Sequence, residues 1–491
     1  MRKLFGLILL FTIAFQPLSA QNKLNLNAFQ KHVEQLKTTD NDLKHALWSV
    51  SVADAATGKF LFEHNSNFSL MPASNMKIVT TGVGLFLLGA DYRFKTKLEY
   101  TGVITDSILN GNIYIVGGGD PSLGSAIYAN TAPDSVFLQW GGAIRGLGIK
   151  QINGTIIGDT RFFDDENRFS SWEIDDIGTD YGAGVSGIQF IDNICRLYIQ
   201  SASRIDEKPN LVRVEPYIPE IAWENHLTST AAGQASDITV YSSPYSSKAL
   251  LFGSFPINSQ SRTMSVAIPN TAQTCVWHFN QYLNRNGIST SNRTDVLERR
   301  TPDLNKDERN CFYTYYSPAY TEIINETNKS SNNSFAETIL KTIGAEFGGD
   351  GTIYAGRRLL AEKLKELKIP TDGFRQSDGS GLSRHGLVTT KFLCNYLSML
   401  YNSDVYADFV KSLPVAGVDG TMRNMLKNTA AEKNVKAKSG TLSSVRAYSG
   451  YVTTKSGKDL CFSFVFNHFT CREAVITQKL EKLMTLLAEV E

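Results

Sequence analysis

The chain has 491 residues, of which 42% are hydrophobic and 20% charged, with a formal net charge of +1. This is the balance of a globular protein with ample apolar surface to bury, and the length allows two or three domains. Near-neutrality without basic runs argues against nucleic acid as a partner. Cys195, Cys275, Cys311, Cys394, Cys461 and Cys471 show no tight spacing suited to zinc, and a fold of this size does not depend on disulfides.

The chain opens with Met1-Arg2-Lys3, an apolar run from Leu4 to Phe15, and Gln16 to Ala20. A basic start, a short apolar segment and a small-residue exit predict a secretory signal over residues 1–20, cleaved after Ala20. Export to the periplasm or the extracellular space is the expectation. No later segment approaches the length of a membrane span, and no cysteine follows Ala20 to carry a lipid, so membrane contact is expected to be peripheral at most.

After an amphipathic stretch from Leu26 to Leu43, Trp48-Ser49-Val50-Ser51-Val52 alternates, Asp54 to Lys59 turns, and Phe60-Leu61-Phe62 resumes. This predicts a strand hairpin. It feeds into Met71-Pro72-Ala73-Ser74-Asn75-Met76-Lys77, which opens an apolar run ending near Leu88. With Ser74 in the first turn of a helix, Lys77 lies one turn on and on the same face. A serine hydroxyl needs a neighbour to take its proton, and a lysine shielded from water can do so. The helix start adds unpaired N–H groups for a developing oxyanion. The simpler reading of the same spacing is a capping serine and a solvated lysine.

From Tyr92 to Arg293 the texture changes to short strand-like runs with many turn residues and few convincing helices. Gly117-Gly118-Gly119-Asp120-Pro121 lacks a following Gly-Lys-Ser/Thr, and Pro121 interrupts a helix start, so a structural turn is expected rather than a phosphate loop. Trp172-Glu173-Ile174-Asp175-Asp176 and Tyr181-Gly182 offer acidic and aromatic groups to a substrate site, although acid clusters are more often solvated loops.

Helical periodicity returns at Ser334 to Leu340, Leu359 to Leu367 and Thr389 to Leu400. Before the first of these stand Lys329-Ser330-Ser331-Asn332-Asn333, short polar side chains that commonly cap helices and can equally relay protons or hold an amide. Two overlapping S-x-N readings exist, Ser330 with Asn332 and Ser331 with Asn333. The chain ends as strand, strand, strand, helix. Lys-Ser-Gly occurs twice: Lys455-Ser456-Gly457 falls between two strands as a hairpin turn, while Lys438-Ser439-Gly440-Thr441 ends a strand. The second copy would give a sheet edge a cation and two hydroxyls, suited to a peptide with a terminal carboxylate.

With S-x-x-K, S-x-N and K-[ST]-G in this order, the chain resembles the penicillin-recognising serine acyltransferases. The long insertion narrows the likeness to the class C low-molecular-mass penicillin-binding proteins, the D-alanyl-D-alanine carboxypeptidase/endopeptidase type. Gly117 to Leu123, Ala336-Glu337, Asp378-Gly379-Ser380-Gly381-Leu382-Ser383-Arg384, Leu413 to Thr421 and Gly450-Tyr451 extend it over nearly all of the mature chain. The family spacing to Ala-Glu selects Ser331 and Asn333. Asn332 stands where the family usually has aspartate, and Ser439 where threonine is usual.

The resemblance implies an α/β fold: a transpeptidase/β-lactamase-like domain, an antiparallel sheet flanked by helices, interrupted by a β-rich insertion of one or two smaller domains. The corresponding boundaries are 21–92 with 293–491 for the catalytic domain and 93–292 for the insertion. It implies that Ser74 attacks and Lys77 takes its proton, that Ser331 relays a proton and Asn333 holds the substrate amide, and that Lys438 supplies positive potential. Ser439, Gly440 and Thr441 would bind the terminal carboxylate side of the substrate, with the N–H groups of Ser74 and Thr441 as oxyanion hole. Peptidoglycan peptides and β-lactam antibiotics are the implied partners, with no metal or organic cofactor. The alternatives are a serine β-lactamase, disfavoured by the insertion, and a catalytically silent wall-binding module, which would need neither a nucleophile nor its base.

Overall fold

The computed structural model describes residues 24–167, 169–302 and 307–491, and the expected signal peptide lies outside them. The first hairpin forms as expected: strand Leu47–Asp54 pairs antiparallel with Phe60–His64. Both join the C-terminal strands in one antiparallel sheet, in the order Lys436–Leu442, Val445–Thr453, Asp459–Asn467, Leu47–Asp54, Phe60–His64. The two ends of the chain thus share a sheet.

Helices cover both faces of this sheet, so the alternation around Val50 does not mark a wet face. Val50 and Val52 pack in a core with Phe29 and Val33 of helix Asn27–Thr38 and Leu480 and Leu483 of helix Glu473–Ala488. Ser49 and Ser51 face the other way and are buried; their hydroxyls lie 2.6 and 2.7 Å from Thr390 Oγ1, at the start of helix Thr390–Tyr401. Pairing with Thr390 removes the penalty of burying them. Helix Met76–Leu88 is buried on that side, with Ile78, Val79 and Val83 against Ile339 and Leu340 of helix Asn333–Gly348. Each large apolar side chain so buried contributes about 1.5–3 kcal/mol. The helix that follows Ser74 is therefore held rigidly.

Between Lys95 and Tyr316 the chain builds four further sheets among the described residues, around two larger apolar cores and a small one at Tyr114, Ile157 and Leu297. The expected boundary at Arg293 needs correction. Strands Thr294–Leu297 and Asn310–Tyr316 pair with Ile156–Asp159 and Lys95–Tyr100, inside the inserted sheet. A texture change along the chain marks where strands become scarce, whereas sheet membership depends on a partner distant in sequence. Two helices, Pro133–Gly146 and Thr271–Arg285, stand among these strands. Gly141 and Gly142 in one, and Thr, Cys, Val, Trp and Phe in the other, are weak helix formers. Packing overrides that weakness, with Phe137 and Trp140 each 5.3 Å from Phe279 between ring centroids.

Candidate active site

Pro72 leads into a tight turn, Ala73–Asn75, that runs directly into helix Met76–Leu88. Ser74 makes no capping bond there, and Lys77 is fully buried, which dismisses the capping-serine, solvated-lysine reading. Lys77 Nζ lies 2.9 Å from Ser74 Oγ, 2.6 Å from Asn333 Oδ1 and 3.0 Å from the Ser380 carbonyl. Burial pulls its pKa down to about 7, against the opposing pull of Glu337 and Asp378. Ala73 has φ of 47°, a sparsely populated conformation for a non-glycine residue, and it is held by close backbone neighbours. At Gly381, with φ of 81°, an added Cβ would stand 1.9 Å from the Ala73 carbonyl oxygen. The loop can close over the turn only as glycine.

The structure separates the two S-x-N readings. Ser330 turns its hydroxyl to Glu326 at 2.9 Å, and Asn332 caps helix Asn333–Gly348 by accepting from the Phe335 N–H at 3.2 Å. Ser331 and Asn333 line the cleft with Ser74. Asn333 Nδ2 donates to the Tyr181 carbonyl at 2.8 Å while its Oδ1 accepts from Lys77. Asparagine in place of the family's aspartate at position 332 keeps the cap, since both rank among the best N-cap residues.

Behind the cleft lies a set of bonds that sequence reasoning missed. Glu337, fully buried, accepts the N–H groups of Gly379 and Ser380 at 2.7 and 2.8 Å. Burial, with Asp378 nearby, pushes its carboxyl up to about 8. Both oxygens are nonetheless occupied by N–H donors, an arrangement that suits the carboxylate. Asp378 accepts from Gly381 N, Ser383 N and Trp172 Nε1 at 2.8, 2.7 and 3.0 Å. The loop whose Ser380 carbonyl meets Lys77 is thereby fixed from three directions. Residues 378–384 carried a family likeness, but nothing local in them signals these partners.

Strand Lys436–Leu442 runs past the Ser74 turn, and Gly440 is the point of contact: a Cβ there would lie 2.5 Å from the Pro72 carbonyl oxygen and 3.2 Å from Ser74 N. Lys438 is fully buried, its Nζ donating to the Ser439 carbonyl at 2.8 Å. Burial, with Lys77 and Arg446 nearby, holds its pKa well below the usual lysine range. Ser439 Oγ donates to Thr421 Oγ1 at 2.7 Å, which brings the end of the Leu413–Thr421 stretch to the site. Thr441 faces Arg446 across the strand pair, and Arg446 donates to its hydroxyl. Arg446 carries no motif; only the register across the Ser443-Ser444 turn reveals it.

Ser74, Ser331, Asn333, Ser439 and Thr441 open on a cleft of about 510 Å3, with Lys77 and Lys438 buried behind it. Glu173, Asp175, Asp176 and Tyr181 line the same cleft, so the acidic and aromatic stretch is a wall of the site rather than a detached loop. An ion pair of 2.6 Å from Arg384 to Glu173 ties it down. A cleft serine beside a buried lysine, with hydroxyls and basic groups at a sheet edge, is equipped for acyl transfer from a carboxylate-bearing peptide.

Comparison with known proteins agrees. The family model for D-Ala-D-Ala carboxypeptidase 3 (S13) matches residues 29–490. The chain belongs to this family. It is accordingly a serine-type carboxypeptidase of the low-molecular-mass penicillin-binding group, and the silent-module alternative falls away. A D-alanyl-D-alanine carboxypeptidase of Actinomadura sp. (strain R39) is 30% identical over 87% of this chain and 79% of its own length. The D-alanyl-D-alanine carboxypeptidase DacB of Haemophilus influenzae is 23% identical over 84% of this chain and 83% of its own length. The crystal structure of penicillin-binding protein 4 (dacB) from Haemophilus influenzae superposes with a TM-score of 0.81, covering 94% of this chain and 99% of that one at 20% identity. That likeness extends the shared fold through the inserted sheets.

Proposed function

We propose that the carboxypeptidase hydrolyses the D-Ala-D-Ala end of peptidoglycan stem peptides through an acyl-enzyme on Ser74, with Lys77 as proton acceptor. The observation that carries this reading is the 2.9 Å contact of Ser74 Oγ with a buried Lys77 whose pKa is near 7. At neutral pH about half of such lysines hold a free lone pair, which can take the serine proton as Oγ attacks the carbonyl carbon. Ser331, whose hydroxyl has no partner among the described residues, would then pass a proton to the departing D-alanine. Asn333 would orient the substrate amide. The N–H groups of Ser74 and Thr441 would hold the oxyanion, a reading supported by the close approach of Gly440, the residue before Thr441, to Ser74 N. Water then attacks the ester and frees Ser74.

Ser439 and Thr441 would receive the terminal carboxylate. Lys438 lies near Lys77 and Arg446, whose positive charges disfavour its own. An arriving carboxylate favours the ammonium form of Lys438, so its positive potential develops with binding. A β-lactam opened by Ser74 keeps its leaving group attached, so its adduct would persist. The Haemophilus influenzae protein of this fold has a crystal structure in complex with a β-lactam. Endopeptidase action on cross-links is the accompanying activity of this reading, and the site of action is outside the cytoplasm. The catalytic domain in this reading is the chain before strand Lys95–Tyr100 and after strand Asn310–Tyr316. Labelling with a fluorescent penicillin, followed by peptide mapping, tests the proposal: a single lasting adduct on Ser74 supports it, and an adduct elsewhere or none overturns it.

A further inference from the structure

Helix Tyr320–Lys329 leads at its C-terminal end to Ser331 and the catalytic cleft; Glu322, in its first turn, lines a different cavity. This groove, of about 710 Å3, opens where strand Asn310–Tyr316 of the inserted sheet meets the chain that leads to the helix. Its volume falls in the range of small-ligand sites. Four tyrosines line it, Tyr128, Tyr313, Tyr315 and Tyr316, with the amides of Asn130 and Gln139. Three hydroxyls are already tied down: Tyr128 donates to the Glu322 carbonyl at 2.9 Å, Tyr313 to Gln139 Oε1 at 3.0 Å and Tyr315 to the Asn130 carbonyl at 3.4 Å. Those bonds set the rings before any ligand arrives, which lowers the ordering cost of binding. Tyr316, the last residue of the strand, is 53% exposed.

The two charged side chains of the groove are held by backbone groups. Arg93 Nη1 donates to the Ser317 carbonyl at 2.7 Å, and Glu322 Oε2 accepts the Ala319 N–H at 3.1 Å. What remains is aromatic surface interleaved with amides and phenols. Of these, the Tyr316 hydroxyl and the Asn130 side-chain amide have no partner among the described residues, so a ligand that brings its own hydrogen-bonding groups can pair with them. A pyranose suits this surface: its C–H face packs on the electron-rich face of a ring, and its hydroxyl and acetamido groups can pair with the Asn130 amide and the Tyr316 phenol.

We propose that this groove holds the glycan strand of peptidoglycan, as N-acetylated sugars, while the Ser74 cleft works on the attached stem peptide. The inference rests on the peptidoglycan reading above. The spacing is consistent with it: helix Tyr320–Lys329 has 10 residues and spans about 15 Å at 1.5 Å per residue. An extended peptide of about four residues, at about 3.3–3.6 Å each, covers the same distance.

The test is a titration of the mature full-length protein with peptide-free glycan strands, followed by intrinsic fluorescence and calorimetry. The parent binds saturably, while Tyr316→Ala and Gln139→Ala, each shown folded by a cooperative melt, bind about tenfold more weakly. Both variants keep the parent's rate of penicillin acylation and of D-alanine release from a short sugar-free peptide, but release D-alanine more slowly from glycan-linked stems. A parent that does not bind stripped glycan, or variants that bind it as the parent does, overturns the groove assignment. Failure of the parent to release D-alanine from the sugar-free peptide would instead strike the catalytic reading and leave the glycan binding to be judged on its own titration.

Discussion

Glu337 accepts the N–H of Ser380 at 2.8 Å, and the carbonyl of that same Ser380 accepts from Lys77 Nζ at 3.0 Å. One buried carboxyl thus positions the loop that touches the lysine, and its charge also opposes the fall in the lysine pKa. Lys77 accepts a proton only when neutral, and its neutral fraction grows as pH rises through about 7. Acylation should therefore accelerate through that pH and level off above it. Glu337→Gln removes the opposing charge, so the midpoint should move to lower pH, alongside a slower plateau from the lost N–H acceptor. The measurement is the second-order rate of penicillin acylation against pH for both proteins. A slower variant with an unmoved midpoint would reduce Glu337 to a structural role.

Ser74→Ala should abolish penicillin labelling and D-alanine release with little change in melting temperature. The hydroxyl caps nothing, and its removal leaves Lys77 Nζ with Asn333 Oδ1 and the Ser380 carbonyl as acceptors. A buried amine that keeps two partners avoids the cost of an orphaned donor. Thermal melts and a D-alanine assay on the purified variant settle it; turnover by the folded variant would exclude Ser74 as nucleophile.

Arg446 offers a third test, because its contact with the Thr441 hydroxyl places a guanidinium beside the residue expected to hold the substrate carboxylate. A charge-assisted bond there is worth about 1.5–3 kcal/mol, or about 10- to 100-fold in kcat/KM. Arg446→Ala should lose that factor on a peptide with a free terminal carboxylate and little on the same peptide ending in an amide. Equal losses on the two peptides would place Arg446 outside carboxylate recognition.

The parts of the site legible in the sequence are those whose geometry is local. Ser74 and Lys77 are one helical turn apart, and Lys438 to Thr441 lie along a single strand, so spacing alone brings each group together. Ser331 and Asn333 were distinguishable from Ser330 and Asn332 only by family spacing, because all four are plausible caps; Asn332 does serve as the cap. Glu337 and Asp378 stand in stretches that carry the family likeness, but their partners, like that of Arg446, arrive through space, across a loop closure or a strand register, and no spacing reveals them. The fold shows the same division. The terminal hairpins read clearly, whereas strand Asn310–Tyr316 was misplaced because its partner, Lys95–Tyr100, lies far back in the chain.

The two Lys-Ser-Gly copies give the final prediction, since their environments differ while their sequences do not. Lys438 is buried at the sheet edge beside Ser439 and Thr441, with Nζ directed to the Ser439 carbonyl. Removing it takes a developing positive charge from a partly dehydrated site, so Lys438→Ala should slow acylation by about tenfold or more. Lys455 sits in the turn between strands Val445–Thr453 and Asp459–Asn467, exposed and paired with Glu491. Solvent screens such a pair, and nothing connects it to the cleft. Lys455→Ala should acylate at the parent's rate. The comparison uses the second-order rate of penicillin acylation for both variants, each first shown to unfold cooperatively. A crippled Lys455→Ala beside a normal Lys438→Ala would mean that the substrate does not lie along strand Lys436–Leu442.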